Sequence, residues 1–317
     1  MPLDHFVSQV HLRNFAASDG MLRAIKKSDL KAFPAKAQDV CRIEGGNNNP
    51  FLKEERLVEE YLKEIEPRYN ASMQKIRDDK IDQAAIRAIA GFVVYVIVCS
   101  PTGGRLHSKP LEQRLLMEAK KLEAAGVLDN APEALDNKKL SELVEQGIVR
   151  FDVDPKYPQA IGIDDFHSRI SVFGNSRWEI LLNDQKSGAY FTSDYPVAIE
   201  TFDTNTPINR IVPLAPDVAV RIIPNKSLKG RNSDLTFAGF TTARKEQRPR
   251  SVMEFNRRLV QCAEDMVFFS QQQDWITNSV AKNRFFRIEP VTYPFVQDGK
   301  KGLLVSHRIQ RREPGKG

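Results

Sequence analysis

An uncharged apolar run over residues 89–99 limits more than any other feature how this chain can fold. Its residues, Ile-Ala-Gly-Phe-Val-Val-Tyr-Val-Ile-Val-Cys, are closed off by Arg87 on one side and Ser100-Pro101 on the other. A helix that crosses a bilayer needs about 20 consecutive apolar residues, so the run predicts a helix buried in a protein core and no membrane span. Extending the pattern gives a helix over residues 81–98 in which only Asp82 and Arg87 are charged, and such a helix has to be surrounded by other elements. A chain of 317 residues has the bulk to do this, because at that size roughly three quarters of the unfolded surface can be buried. With 41% hydrophobic and 28% charged residues it is neither fibrous nor disordered in composition.

Around that helix the first half reads mostly as further helix. Leu52, Leu57, Val58, Tyr61, Leu62 and Ile65 recur at helical spacing, and Pro67 is expected to kink or end their helix. Residues 111–125 and 132–146 read as amphipathic helices, and residues 5–15 as a short first helix capped by Asp4. Residues 21–26 and 30–33 suggest a hairpin. The stretch Gly45-Gly46-Asn47-Asn48-Asn49-Pro50 is loop chemistry, a connector without the Gly-Lys-Ser/Thr that a phosphate loop requires. Beyond Val149 the pattern changes to strands at 178–182, 189–192, 211–212 and 218–223. A capping box at Ser251-Val252-Met253-Glu254 opens a closing helix, and residues 285–288 can add a strand. The fold class expected is α+β: a helix-rich N-terminal half packed on a mainly antiparallel sheet, with a closing C-terminal helix. One large domain over residues 1–295 is expected, with a natural subdomain boundary near residue 150, followed by a basic tail over 296–317.

The start, Met-Pro-Leu-Asp-His, has no basic region followed by an apolar stretch, so no secretory leader is expected. Cys41, Cys99 and Cys262 lie far apart with no Cys-x-x-Cys pair, which fits core thiols in a reducing cytoplasm better than a zinc ribbon or a disulfide framework. The net charge of +6 is concentrated in two stretches, one holding Lys226, Lys229, Arg231, Arg244, Lys245, Arg248 and Arg250, the other at the C-terminus. Both read as a solvated loop and tail, or as a grip for nucleic-acid phosphates centred on Arg244, Lys245 and Arg248.

No Gly-x-Ser-x-Gly elbow, His-Glu-x-x-His, dinucleotide fingerprint or kinase set is present, which argues against the common hydrolase, dehydrogenase and kinase classes. Any active centre has to be assembled from single residues. On the first helix, steps of four bring His5, Gln9 and Arg13 to one face, a base or metal ligand beside a donor fork suited to carboxylate or phosphate. Asp194 ends a strand ahead of Tyr195-Pro196 and can hold a metal or satisfy its own turn. Glu66 closes an acidic stretch with Glu59, Glu60 and Glu64 that otherwise reads as a solvated face.

Four segments carry a resemblance: His5-Phe6-Val7-Ser8-Gln9-Val10-His11-Leu12-Arg13-Asn14-Phe15, Ile65-Glu66, Tyr190-Phe191-Thr192-Ser193-Asp194-Tyr195-Pro196-Val197 and Val212-Pro213-Leu214-Ala215-Pro216. In this order they resemble a bacterial family known as domain of unknown function 4238. The resemblance marks His5, Arg13, Glu66 and Asp194 as positions of interest and assigns no activity. Two departures stand out: Ser8 replaces a usual proline, and Cys99 precedes Ser100-Pro101 where relatives tend to carry an arginine ahead of the proline, so an altered or inactive site is compatible with the pattern. The resulting expectation is a metal-dependent hydrolase of phosphodiesters. In it Glu66 and Asp194 hold a divalent cation such as magnesium, His5 is a base or ligand, and Arg13 steadies phosphate. The alternative is a non-enzymatic nucleic-acid or protein-binding accessory protein.

Overall fold

The computed structural model of the chain describes residues 2–184, 188–200, 208–225, 234–271, 274–297 and 300–312. It is an α+β protein. In chain order the elements are β1 (Leu3–His5), α1 (Gln9–Arg13), β2 (Leu22–Lys26), β3 (Ala32–Ala35), β4 (Arg42–Glu44), α2 (Leu57–Arg77), α3 (Gln83–Cys99), α4 (Pro101–Ala124), α5 (Leu140–Glu145), α6 (Lys156–Asp164) and α7 (Phe166–Gly174). There follow β5 (Arg177–Leu182), β6 (Thr192–Ser193), β7 (Ala198–Glu200), β8 (Asn209–Ala215), β9 (Val218–Ile223), β10 (Thr241–Glu246), α8 (Pro249–Cys262), β11 (Met266–Phe269), α9 (Asp274–Asn283), β12 (Phe286–Gln297) and β13 (Lys300–Arg311).

Helix α3 is the predicted buried helix, with every residue from Ala88 to Cys99 in the core. Asp82 caps it by accepting from the Ala85 N–H at 2.9 Å, and Ser100 both ends it and caps α4, accepting from the Gly103 N–H at 3.1 Å. With Pro101 fixing the first turn of α4, the two helices meet at a 59° bend, and among the described residues no single helix is long and apolar enough to cross a membrane. Helices α2 and α7 pack on α3. Gly91 allows the close approach of α2, since a Cβ there would lie 2.3 Å from Ile65 Cδ1.

Two main sheets complete the core. A five-stranded sheet has the order β10-β5-β9-β8-β7, antiparallel except for the parallel β10–β5 pair. A four-stranded antiparallel sheet has the order β3-β2-β11-β6 and contains the hairpin expected near residues 21–33. The pairs β1–β4 and β12–β13 stand apart from both. Cys41, Cys99 and Cys262 are buried free thiols, and burial pushes Cys99 up to about 12 and Cys262 up to about 11, as inert core residues should behave.

Several local expectations are corrected. The first segment is not one helix over 5–15. Pairing with β4 draws Leu3, Asp4 and His5 into a strand, and Asp4 accepts from the Asn47 N–H and from Arg56 instead of capping a helix. Pro67 does not end α2, which runs on to Arg77 with Ile65, Tyr69, Met73 and Ile76 buried; burial of such side chains, ~1.5–3 kcal/mol each, offsets one missing hydrogen bond. The helix expected at 132–146 shrinks to α5, because Asp136 and Asn137 take positive φ just before it. Ser251 lies inside α8, whose N-cap is Arg248 with Pro249 in the first turn. That helix is followed by β11, α9 and the β12–β13 hairpin. The basic segment read as a tail pairs, from Lys300 to Arg311, along the whole of β12. Backbone bonding of this length ties down a segment that charge alone would leave in solvent.

Candidate functional site

The chain leaves β1 at His5 and turns through Phe6, Val7 and Ser8 into α1, with the Phe6 N–H bonded to the Cys41 carbonyl at 2.8 Å. Helix α1 is fixed by His11, which is fully buried. Its Nδ1 lies 2.7 Å from the Tyr69 hydroxyl on α2, its Nε2 2.7 Å from Thr192 Oγ1 on β6, and its ring stacks on Phe92 of α3 at 4.7 Å. Burial pushes its pKa down to about 3, so the ring is neutral and structural.

Between α1, α2 and the start of β1 lies a cleft of about 570 Å³ lined by His5, Gln9, Arg13, Glu59, Lys63 and Glu66, among others. Three of the four residues singled out by sequence therefore meet. His5, Gln9 and Arg13 are neighbours as their spacing predicts, but not on one helix: His5 comes from a strand, and only Gln9 and Arg13 share α1. Arg13 Nη2 donates to Gln9 Oε1 at 2.8 Å, and Gln9 Nε2 reaches His5 Nδ1 at 3.5 Å, the outer limit of a hydrogen bond. On the opposite wall, Glu59, Leu62, Lys63 and Glu66 are spaced i, i+3, i+4, i+7 and so form one face of α2. Glu60 and Glu64 point away and pair with Lys63 at 2.6 Å and Arg87 at 3.3 Å, the solvated face expected of them.

Ser8 holds Glu66 in place. Its hydroxyl leaves the helix terminus uncapped and donates to Glu66 Oε1 at 2.5 Å. Asn47, also in the lining, donates from Nδ2 to Glu59 Oε1 at 2.6 Å, and the Tyr95 hydroxyl bonds the His5 carbonyl with Asn47 Oδ1 3.2 Å away. The loop read as a connector thus carries two buried asparagines, Asn47 and Asn49, the second bonded to Lys156 O and Gln159 Oε1 on α6.

Partial burial holds the His5 pKa below its usual value, with Arg42 acting the same way, while the carbonyls of Gln38 and Ala37 and the Glu66 carboxylate pull it back up. Its Nε2 is enclosed and has no partner in good hydrogen-bonding geometry. Nδ1 is the nitrogen on the Gln9 side, facing the cleft. A neutral imidazole, a carboxylate held by a serine and a guanidinium at the rim together suit proton transfer beside a bound anion.

Asp194 does not line this cleft. Its carboxylate accepts from the N–H groups of Glu264, Asp265 and Met266 at 2.9, 2.8 and 2.8 Å, with Lys27 close by. Burial outweighs these partners and raises its pKa to about 6. The expected pairing of Glu66 with Asp194 on one cation is therefore not the arrangement seen, since Asp194 spends its oxygens on the turn that leads into β11. Among the described residues no group of three or more His, Cys, Asp or Glu side chains is placed to hold a metal ion.

The basic residues are tied into the fold as well. Arg244 donates to the carbonyls of Ile76 and Arg77 at the end of α2, and Lys245 pairs with the buried Glu179 at 2.6 Å. Arg248 is exposed at the start of α8. Lys226, Lys229 and Arg231 lie outside the described residues. The residues that sequence reading missed are Ser8, Asp4, Asn47 and Glu59, and the seven-residue step from Glu59 to Glu66 was the available signal.

No curated protein and no solved structure matches the chain. A family model described as "Protein of unknown function (DUF4238)" does match, over residues 4–273, a span that takes in every side chain of the cleft named above, and the chain belongs to that family.

Proposed function

We propose that the α1–α2 cleft is the active site of a hydrolase acting on a small phosphoester. The observation that carries this reading is the convergence of His5, Glu66 and Arg13, from a strand and two helices, on a space of about 570 Å³, a size typical of sites for small molecules. His5 Nδ1 takes a proton from water as the water oxygen bonds to phosphorus and the ester oxygen departs, picking up its proton from solvent. Glu66, oriented by Ser8, stabilises the imidazolium that forms. Arg13, oriented by Gln9, binds the phosphoryl oxygens. Nucleic acid fits this reading less well, because Arg244 and Lys245 already have partners within the fold.

The test is turnover of bis(4-nitrophenyl) phosphate and 4-nitrophenyl phosphate by the full chain and by His5→Gln, Glu66→Gln and Arg13→Ala, with circular dichroism as the control for folding. His5→Gln is expected to lower kcat by about 10²-fold or more, and Arg13→Ala to act mainly on KM. Absence of turnover by the parent chain, or folded His5→Gln and Arg13→Ala proteins with unchanged kinetics, overturns the assignment.

A further inference from the structure

A second cleft, of about 580 Å³, lies between α4 and the β12–β13 hairpin and shares no lining residue with the first. Its walls are apolar, formed by Leu106, Leu111 and Met117 of α4 and by Phe295, Leu303 and Val305 of the hairpin. Gly302 makes room for the Phe295 ring across the strand pair, as a Cβ there would lie 2.7 Å from it. The polar groups are mostly basic: His107, His307, Arg114 and Lys121 against Glu118, which is itself paired with Lys121 at 2.8 Å.

Behind His307 stands Arg210 of β8. It is 8% exposed, forms no ion pair among the described residues, and leaves Nη1 buried without a partner. A guanidinium cannot shed its proton, and an isolated buried charge costs several kcal/mol. Among the described residues, the hydrogen bond its head group makes is Nη2 to His307 Nδ1 at 3.3 Å. Arginine only donates, so His307 Nδ1 accepts and the ring carries its proton on Nε2. That N–H is polarised by the cation behind it, on a residue that lines the cleft. The Tyr195 hydroxyl, buried and unpartnered in the field of the same Arg210 and of Arg105, adds a second unused polar group to this region. The charge of Arg105 is already matched by Glu264 at 2.6 Å and Glu289 at 3.2 Å, and Arg169 has Asp165 at 3.5 Å, so of these three guanidiniums Arg210 is the one with no ion pair among the described residues.

We infer that the α4–hairpin cleft binds a small amphipathic carboxylate, its head group at His307 Nε2 with Arg210 behind, its hydrocarbon part along the apolar walls. His307 contacts the ligand; Arg210 is a positioning residue that acts through the imidazole. The site shares no residue with the α1–α2 cleft and stands or falls separately from it.

Calorimetric titration of the full chain with decanoate, decan-1-ol and inorganic phosphate tests the assignment. Decanoate is expected to bind at least about tenfold more tightly than decan-1-ol, the signature of a matched charge. Arg210→Met should weaken decanoate by a similar factor and leave decan-1-ol unchanged, and since it removes an unpaired buried charge it should fold at least as stably as the parent. Leu111→Trp, which fills the cleft from the α4 side, should weaken both long-chain probes. Equal affinity for decanoate and decan-1-ol, binding of phosphate alone, no binding of any probe, or an Arg210→Met protein that holds decanoate as well as the parent would each overturn it.

Discussion

The buried His11 makes stability depend on pH in a way that can be worked out from its surroundings. The ring is fully enclosed and bonded on both nitrogens, and its pKa falls from the ordinary 6.5 to about 3. In the unfolded chain the same ring titrates near its ordinary value. The folded state therefore binds fewer protons between these two limits, and stability rises with pH across that window. The contribution is fully present above the unfolded pKa and is lost as pH falls towards the folded one. Between neutrality and pH 5 the loss from this ring alone comes to about 2 kcal/mol, a large share of a typical net stability of ~5–15 kcal/mol. His107 and His307, held down to about 4 and about 3 by burial and neighbouring arginines, act in the same direction. The assay is urea unfolding followed by fluorescence at pH 7 and at pH 5, for the parent and for His11→Gln. Glutamine cannot titrate, so the advantage of the parent over the variant should shrink by about 2 kcal/mol on acidification. Parallel changes in the two proteins would refute the claim that His11 is held neutral by burial.

Two further outcomes are expected from single substitutions. Asp194→Asn puts an amide where backbone N–H groups need an acceptor, so it should cost about 3 kcal/mol in urea unfolding at pH 7; unchanged stability would contradict the turn-holding role. Ser8 has φ −55°, which proline can adopt, so Ser8→Pro should fold with stability within about 2 kcal/mol of the parent while releasing Glu66 from its bond, seen as a change in the pH profile of turnover; failure to fold would show that the Ser8–Glu66 contact holds α1.

How much of this could be read from sequence depended on how locally each feature is determined. Helix α3 was legible because a uniformly apolar run fixes its own burial, and its caps Asp82 and Ser100 lie within reach of its ends. The β2–β3 hairpin was legible for the same reason, its polar turn being contained in the segment. The first helix was misjudged because the helical spacing of His5, Gln9 and Arg13 competes with pairing to β4, a partner whose position in space only the fold determines. The hairpin of β12 and β13 did leave a trace: Leu303, Val305, His307 and Ile309 alternate along one face of the strand, but the basic residues around them suggested a tail.

The candidate sites follow the same division, and it separates side chains left open to a ligand from those the fold itself uses. Residue type and spacing singled out Asp194 and Glu66 together as cation ligands, yet they differ in what the surrounding backbone asks of them. Asp194 lies where the chain turns into β11 with three N–H groups unpaired by any sheet, so its oxygens are consumed in satisfying them. Glu66 lies mid-helix, where backbone groups satisfy one another, and a single serine bond leaves its second oxygen available to the cleft. Arg210 is the converse case: near the start of β8, its backbone lies between β7 and β9 while its head group is left, among the described residues, with one imidazole hydrogen bond. A polar side chain is free for a ligand where the main chain around it is already satisfied, and by that criterion the two proposed sites draw on Glu66 and Arg210 rather than on the strand-end acid.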